Sequence, residues 1–209
     1  MRSPFPRLYA IIDPVQTGQH SPAAVTEVLL AAGVRLIQYR DKRATSHELL
    51  QTCRQIADLV REAQGVFIVN DRADVARAVD ADGVHLGQDD LPVELARRVL
   101  SAGKWVGCST HILAQVIEAE NSSADYIAFG PVFPTHSKEN PDPVVGVEGL
   151  RKARQATRKP LVAIGGISAE NARAAIEAGA DSVAVISDLL KAPDIGQRAR
   201  QFLEVLRGS

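Results

Sequence analysis

The sequence has few cysteines, almost no net charge and no long apolar stretch, and each absence excludes a class of protein. Its two cysteines, Cys53 and Cys108, lack the spacing of a metal site, and they are most simply reduced thiols of a cytoplasmic protein. A formal net charge of −1 leaves no excess of positive charge for nucleic acid or an acidic membrane. No stretch approaches the roughly 18 apolar residues of a membrane helix. We therefore expect a soluble cytoplasmic protein, with a homo-oligomer left open.

What the chain does contain is a regular alternation of short apolar runs and longer amphipathic stretches. Nearly continuous apolar runs are typical of strands that are buried on both faces. Eight strands are predicted, at 8–12, 36–39, 66–69, 84–86, 105–108, 126–129, 161–164 and 182–186. The amphipathic stretches predict helices at 21–32, 46–62, 72–79, 92–100, 112–120, 147–155, 168–178 and 197–206.

Strict alternation of strand and helix favours a parallel sheet, which can be a closed barrel or an open doubly wound sheet. In an open sheet the ligand residues gather after one or two strands, whereas in a barrel they follow many strands. Polar residues follow seven of the eight predicted strands in this chain. We therefore expect a single (β/α)8 barrel over residues 1–209, with short loops because such barrels usually need about 250 residues.

The second predicted strand runs directly into a polar segment, residues 38–42, that carries two cations. Alternation along the strand places Gln38, Arg40 and Lys42 on one side and Tyr39 and Asp41 on the other. Arg binds a phosphate through a planar fork and Lys binds it as a point charge, so this side suits a diphosphate. A solvated charged loop is the competing interpretation.

Carboxylates follow the third and fourth strands, in Asn70-Asp71-Arg72 and in Gly87-Gln88-Asp89-Asp90. Mg2+ usually takes one or two carboxylates together with substrate phosphate oxygens and water. Asp71 and Asp90 can supply that pair, and the nearby cations favour a metal site. The competing interpretation is helix capping, because Asp is a preferred N-cap residue.

The ends of the last four strands offer hydroxyl groups, glycines and a lysine, which together suit a phosphate. The residues concerned are Ser109, Thr135, Ser137, Lys138, Gly165, Gly166 and Ser187. Glycines let the backbone approach a phosphate, and phosphate sites in these barrels often follow strands seven and eight. Segment 134–145, rich in proline and polar residues, is a candidate lid.

The chain resembles the thiamine phosphate synthase family from Tyr9 to about Leu190. The resemblance rests on seven ordered motifs: QYRDK (38–42), NDRADVA (70–76), ADGVHLGQDD (81–90), GCSTH (107–111), FGPVFPTHSK (129–138), AIGGI (163–167) and AVIS (184–187). One departure is Ser137, where the family usually has Thr. Ser keeps the hydroxyl group, so we expect function to survive.

The resemblance implies a transferase that joins an aminopyrimidine diphosphate to a thiazole phosphate, or to its carboxylated form, with release of pyrophosphate. It implies a site for the aminopyrimidine diphosphate made of Gln38, Arg40, Lys42, Asn70, Ser109 and Lys138. It implies that Asp71 and Asp90 hold Mg2+ on that diphosphate. It implies a thiazole phosphate site made of Thr135, Ser137, Gly166, Ile186 and Ser187.

In the expected mechanism, Arg40, Lys42 and Lys138 neutralise charge on the departing diphosphate, and the thiazole nitrogen captures the pyrimidine carbocation. No side-chain nucleophile is required, so neither cysteine is nominated. His85 is expected to be a packed, hydrogen-bonded residue inside the barrel. His111 suits the alternative of a thiazole tautomerase, as a general acid or base. A non-catalytic barrel that binds thiamine precursors and a generic phosphate-binding isomerase are further alternatives.

Overall fold

The computed structural model describes residues 5–135 and 143–207, and eight parallel strands in it close into a barrel. The strands are β1 Leu8–Ile12, β2 Leu36–Tyr39, β3 Val66–Asn70, β4 Gly83–Leu86, β5 Trp105–Thr110, β6 Tyr126–Phe129, β7 Leu161–Ile164 and β8 Ser182–Val185. They pair in chain order, and β8 returns to pair with β1, with Tyr9 opposite Ala184. The predicted (β/α)8 barrel is confirmed, and the open sheet is excluded.

Helices lie on the outside of the barrel between successive strands. They are α1 Pro22–Ala31, α2 Ser46–Glu62, α3 Ala73–Ala78, α4 Val93–Val99, α5 Leu113–Asn121, α6 Gly146–Ala156, α7 Ala172–Glu177, α8 Ser187–Leu190 and α9 Ile195–Arg207. Two differ from the sequence-based expectation. Helix α7 starts four residues later than expected, because the amide of Ser168 donates to Asn171 Oδ1 and closes a turn there. Helix α8 was missed, since four residues are too short to show a helical period.

The core is divided between the barrel interior and the layer between strands and helices. Tyr9 and Ile11 of β1 belong to the interior cluster, whereas Leu8, Ala10 and Ile12 pack against the helices. All five are buried. Because both faces of every strand are covered, the strands appear in the sequence as continuous apolar runs.

Helix α2 illustrates how the outer layer forms. Thr45 caps its first turn, with a capping box in which the Glu48 side chain accepts from the Thr45 amide at 2.8 Å. The helix buries a stripe of residues at helical spacing, made of Leu49, Cys53, Ile56, Ala57 and Val60. Among the described residues, no helix is long and apolar enough to cross a membrane.

The outer layer gives a direct test of packing through two helical leucines. Leu150 in α6 is fully buried, whereas Leu95 in α4 is 43% exposed. We expect Leu150→Ala to lower the free energy of unfolding by about 2–5 kcal/mol, because it removes buried methyl groups and leaves a cavity. Leu95→Ala should change it by less than about 0.5 kcal/mol. Urea denaturation of both variants measures this, and equal effects would contradict the assigned burial.

Candidate active site

The carboxyl ends of the strands surround a cavity of about 540 Å³ at one end of the barrel. This is the end at which barrels of this kind carry their binding residues. The cavity is lined by eleven of the residues assigned to the predicted substrate and metal sites: Gln38, Arg40, Lys42, Asn70, Asp71, Asp90, Ser109, Thr135, Gly166, Ile186 and Ser187. Ser137 and Lys138 lie outside the described residues, so their predicted roles stay predictions. The structure therefore brings together side chains from distant parts of the chain.

The cationic side of the cavity has the alternation expected from the sequence. Gln38, Arg40 and Lys42 line the cavity, whereas the Tyr39 hydroxyl turns away and donates to Asp41 Oδ2 at 3.1 Å. Asp41 also accepts from the amides of the following turn, which fixes the bend after β2. A hydrogen-bonded turn therefore holds the two cations at the rim of the cavity. This excludes the competing interpretation of a solvated charged loop.

Both cations are paired with carboxylates. Arg40 Nη1 lies 2.6 Å from Asp13 Oδ2, and Lys42 Nζ lies 2.5 Å from Asp71 Oδ2. Asp13 is buried at the end of β1, and its role was not predicted. It follows an apolar strand as a single acidic residue, and nothing in the sequence connects it with a cation 27 residues away. It orients one face of the guanidinium and leaves the other donors for a ligand.

Asp71 and Asp90 are close enough to share a hydrogen bond. Burial raises the pKa of Asp71, and the neighbouring Asp90 raises it further. Burial opposes ionisation of Asp90 as well, but the hydrogen bonds it accepts from Asp71 and from the Gly87 amide lower its pKa overall. Two carboxylates in this contact resist ionising together, and a bound cation removes that conflict.

Neither carboxylate caps the helix that follows it, which argues against the capping interpretation. The N-cap positions of α3 and α4 are Arg72 and Pro92, and neither makes a side-chain cap bond. Asp71 adopts a φ of 61°, an uncommon conformation that turns its side chain toward Lys42 and Asp90. Within residues 5–135 and 143–207 no third acidic, His or Cys side chain joins them as a metal ligand. The pair fits Mg2+, which takes its remaining ligands from phosphate and water.

The opposite side of the cavity is formed by backbone and small residues. A Cβ atom on Gly166, whose φ is +63°, would lie 2.4 Å from the carbonyl oxygen of Pro134. Glycine is therefore required here so that the turn after β7 can pack against the segment after β6. Ile186 and Ser187 follow β8, and Lys191, which the sequence analysis did not single out, also lines the cavity. Most of the candidate lid lies outside the described residues, so the lid stays a prediction.

The cavity also reaches two histidines. His85 is buried, and its ring nitrogens lie 3.0 Å from the Tyr126 hydroxyl and 2.9 Å from Ser109 Oγ, as expected for a packed barrel histidine. His111 lines the cavity, and its Nδ1 lies 2.6 Å from the carbonyl oxygen of Gly130. Sequence reasoning missed Tyr9 and Tyr126, because buried aromatic residues within apolar strands are indistinguishable from ordinary core.

The two cysteines lie in the core, outside the cavity. Burial raises the pKa of Cys53 to about 12 and that of Cys108 to about 11, so both thiols stay protonated below those values. We expect both to react far more slowly with iodoacetamide at neutral pH in the folded protein than after unfolding in urea, as measured by mass spectrometry. Rapid labelling of the folded protein would contradict this burial.

Comparison with known proteins identifies a family that the chain matches over most of its length. A family model described as thiamine monophosphate synthase matches residues 8–189. The chain is similar to a thiamine-phosphate synthase of Koribacter versatilis, with 49% identity over 97% of this chain and 96% of that one. A second relative, the thiamine-phosphate synthase of Chloroflexus aurantiacus, is 44% identical over 94% of this chain and 90% of that one.

A solved structure is similar as well. It is the thiamine phosphate pyrophosphorylase of Pyrococcus furiosus, at 36% identity and a TM-score of 0.88, over 97% of this chain and 96% of that one. The matched segment of the family model contains the described cavity residues from Gln38 to Ser187. On this evidence the chain belongs to the thiamine monophosphate synthase family.

Proposed function

We propose that the chain is a transferase that joins an aminopyrimidine diphosphate to a thiazole phosphate, forming thiamine phosphate and releasing pyrophosphate. The observation that carries the proposal is the juxtaposition of two cations, Arg40 and Lys42, with the carboxylate pair Asp71 and Asp90 in one cavity. Cations bind phosphate groups and paired carboxylates bind Mg2+, so the four side chains together suit a ligand that carries several negative charges and a metal ion. Both cysteines are free and buried, which supports a cytoplasmic site of action.

The diphosphate substrate occupies the side of the cavity after β2 to β5. Arg40 and Lys42 contact its phosphates, while Gln38, Asn70 and Ser109 surround the pyrimidine. Lys138 is expected to reach the same diphosphate, as the family resemblance implies. Guanidinium and ammonium groups held in place before the reaction stabilise the charge that develops on the leaving group, without reorganisation during the step.

The proposed Mg2+ site lies beside Arg40 and Lys42. Asp71 and Asp90 would hold the ion, and when bound it neutralises diphosphate charge and so makes that group a better leaving group. The contact of Lys42 with Asp71 links the ammonium group to this pair. Within the described part of the chain only these two carboxylates are placed to hold the ion, so oxygens of the substrate itself would complete the site. We therefore expect the metal and the diphosphate to bind together.

The thiazole phosphate occupies the side after β6 to β8. Thr135, Gly166, Ile186 and Ser187 surround its phosphate, which anchors the ring toward the pyrimidine, and Ser137 is expected to contact the same phosphate, as the family resemblance implies. The close packing of Gly166 against Pro134 holds this wall of the cavity in place. Fixing both substrates in one cavity makes their encounter effectively intramolecular.

The reaction then needs no protein nucleophile. The bond between the pyrimidine methylene carbon and the diphosphate oxygen breaks, and the electron pair leaves with the diphosphate. The aminopyrimidine ring donates electrons to the resulting cation. The thiazole nitrogen gives its lone pair to the methylene carbon, and the new C–N bond completes thiamine phosphate. No proton is gained or lost in these two steps.

The tautomerase remains the second candidate, because His111 lines the same cavity. A tautomerase moves protons on the thiazole phosphate alone and requires neither the carboxylate pair nor the cations of β2. A non-catalytic binding barrel would hold the precursors without turnover.

One set of incubations separates the three functions: the purified chain is incubated with Mg2+, with each substrate omitted in turn, and pyrophosphate, isomerised thiazole and bound substrate are measured. We expect release only when both substrates and Mg2+ are present. Isomerised thiazole without pyrophosphate would identify the tautomerase, and binding without either product would identify the silent barrel.

A further inference from the structure

A chain of hydrogen bonds crosses the interior of the barrel beneath the cavity and connects two of its lining residues. Gln38 Nε2 lies 2.6 Å from the Tyr9 hydroxyl, which lies 2.9 Å from the Tyr126 hydroxyl. The Tyr126 hydroxyl lies 3.0 Å from His85 Nδ1, and His85 Nε2 lies 2.9 Å from Ser109 Oγ. All but Ser109 are at most 6% exposed. None of the steps proposed above uses Tyr9, Tyr126 or His85.

The chemistry of the first member favours one direction for the hydrogen bonds of this network. An amide nitrogen can only donate, so Gln38 donates to Tyr9. Burial raises the pKa of both tyrosines, so each phenol keeps its single proton. The Tyr9 oxygen accepts from Gln38, and every proton of the network finds an acceptor when Tyr9 donates to Tyr126 and Tyr126 donates to His85 Nδ1. The imidazole must then carry its proton on Nε2 and donate to Ser109 Oγ.

This direction determines what the two ends present to a ligand. Because its nitrogen is held by Tyr9, the Gln38 amide cannot turn over, and its carbonyl oxygen has no hydrogen-bond partner among the described residues. Ser109 accepts from His85, so its own hydroxyl hydrogen is available to a ligand in the cavity. At one end of the hydrogen-bonded network Gln38 presents an acceptor, and at the other end Ser109 presents a donor.

We infer that Tyr9, Tyr126 and His85 are positioning residues that lock Gln38 as an acceptor and Ser109 as a donor, and so select an amino over an oxo pyrimidine. The inference rests on the proposed function for the identity of the ring. An aminopyrimidine offers an amino hydrogen to Gln38 and a ring nitrogen lone pair to Ser109. An oxopyrimidine places a carbonyl oxygen where the amino group stood, and two acceptors would then face each other.

Packing of the aromatic rings holds the hydrogen-bonded residues in place. A Tyr→Phe substitution can therefore remove a hydroxyl group while the ring stays packed. A Cβ atom on Gly107 would lie 2.0 Å from the Tyr126 ring, so the absence of a side chain there makes room for that ring. The Tyr126 ring also stacks on His85, with centroids 5.5 Å apart. Tyr→Phe variants keep these contacts and lose only the hydrogen bonds.

The first test determines the direction of these hydrogen bonds without any substrate. In protein labelled with ¹⁵N-histidine, the nitrogen chemical shifts distinguish the two neutral tautomers. Spectra are recorded well above the ordinary imidazole pKa of about 6.5. The His85 signal is assigned as the one lost in His85→Gln. We expect His85 to carry its proton on Nε2. A proton on Nδ1 would reverse the chain and overturn the inference.

The second test measures selectivity with unreactive ligands, the amino and oxo pyrimidines whose bridging ester oxygen is replaced by CH2. Calorimetric Kd values with Mg2+ are compared for wild type, Tyr9→Phe and a matched control, Tyr39→Phe, whose hydroxyl faces Asp41 outside the network. In Tyr9→Phe the Gln38 amide is free to turn over. We expect its preference for the amino ligand to fall about tenfold, the equivalent of one hydrogen bond, and that of Tyr39→Phe to stay at the wild-type value.

The outcomes separate this inference from the proposed function. Unchanged selectivity in Tyr9→Phe would overturn the positioning role while leaving the synthase proposal intact. An equal loss in Tyr39→Phe would assign the effect to general destabilisation and would also overturn it. If wild type bound neither ligand, the proposed function would fail, and with it the selectivity role of the network. The tautomer measurement would still report the direction of the bonds.

Discussion

Asp71→Asn is expected to lower kcat/KM for the condensation by about a hundredfold to a thousandfold, the range seen when one preorganised stabilising group is lost. The substitution removes one of the two carboxylates proposed to hold Mg2+ and the partner of the Lys42 ammonium group. It keeps the side-chain shape, and Asn tolerates the positive φ of this position as well as Asp does. Steady-state kinetics over a series of Mg2+ concentrations measures the effect, and we expect half-saturation at a higher concentration.

Asp74→Asn is the matched control for this variant. Asp74 lies three residues further on, is exposed, and pairs with Arg72 on the outer side of α3. Its loss should leave kcat/KM within about twofold of wild type, because exposed ion pairs contribute little. If Asp71→Asn retained wild-type kinetics at every Mg2+ concentration, the metal role of this carboxylate would be wrong.

Arg40→Met is expected to cause the second large loss, again about a hundredfold or more in kcat/KM. Its guanidinium is positioned by buried Asp13 and faces the cavity beside the carboxylate pair. Removal takes away a fixed positive charge from the site at which charge develops on the leaving diphosphate. Binding of pyrophosphate, measured by calorimetry with Mg2+, should weaken in parallel, since the product carries the same charge.

Two further variants separate charge from geometry at this position. Arg40→Lys keeps the charge but loses the planar fork, and an intermediate activity is expected. Arg61→Met removes an exposed arginine that pairs with exposed Asp58, and wild-type kinetics are expected. Arg40→Met leaves Asp13 buried without its cation, so its free energy of unfolding is measured as well. A loss of activity explained wholly by unfolding would contradict a direct role for Arg40.

The strands were predictable because a barrel covers both faces of every strand, so burial leaves a continuous apolar run in the sequence. The positions of the cations were also predictable, because side-chain alternation from Gln38 to Lys42 carries over from strand to rim. Helix α8 and the late start of α7 were not, because a four-residue helix and a side-chain-closed turn leave no periodic signal. Local periodicity predicts elements but not the turns between them.

The candidate site was predictable where a residue acts alone and unpredictable where it acts through a partner. Asp71 and Asp90 follow neighbouring strands, so topology alone places them together. Asp13 acts through Arg40, and Tyr9 and Tyr126 act through each other, across 117 residues of sequence in the second case. Such pairs depend on the register of distant strands, which a single sequence does not reveal.

Product identity is the most direct measurement of the central claim. Purified chain is incubated with the aminopyrimidine diphosphate, the thiazole phosphate and Mg2+, and the mixture is analysed by mass spectrometry. The account predicts the mass of thiamine phosphate, with pyrophosphate formed in equal amount and neither product formed when one substrate is omitted. Unchanged substrates under conditions in which the folded chain binds both would contradict it.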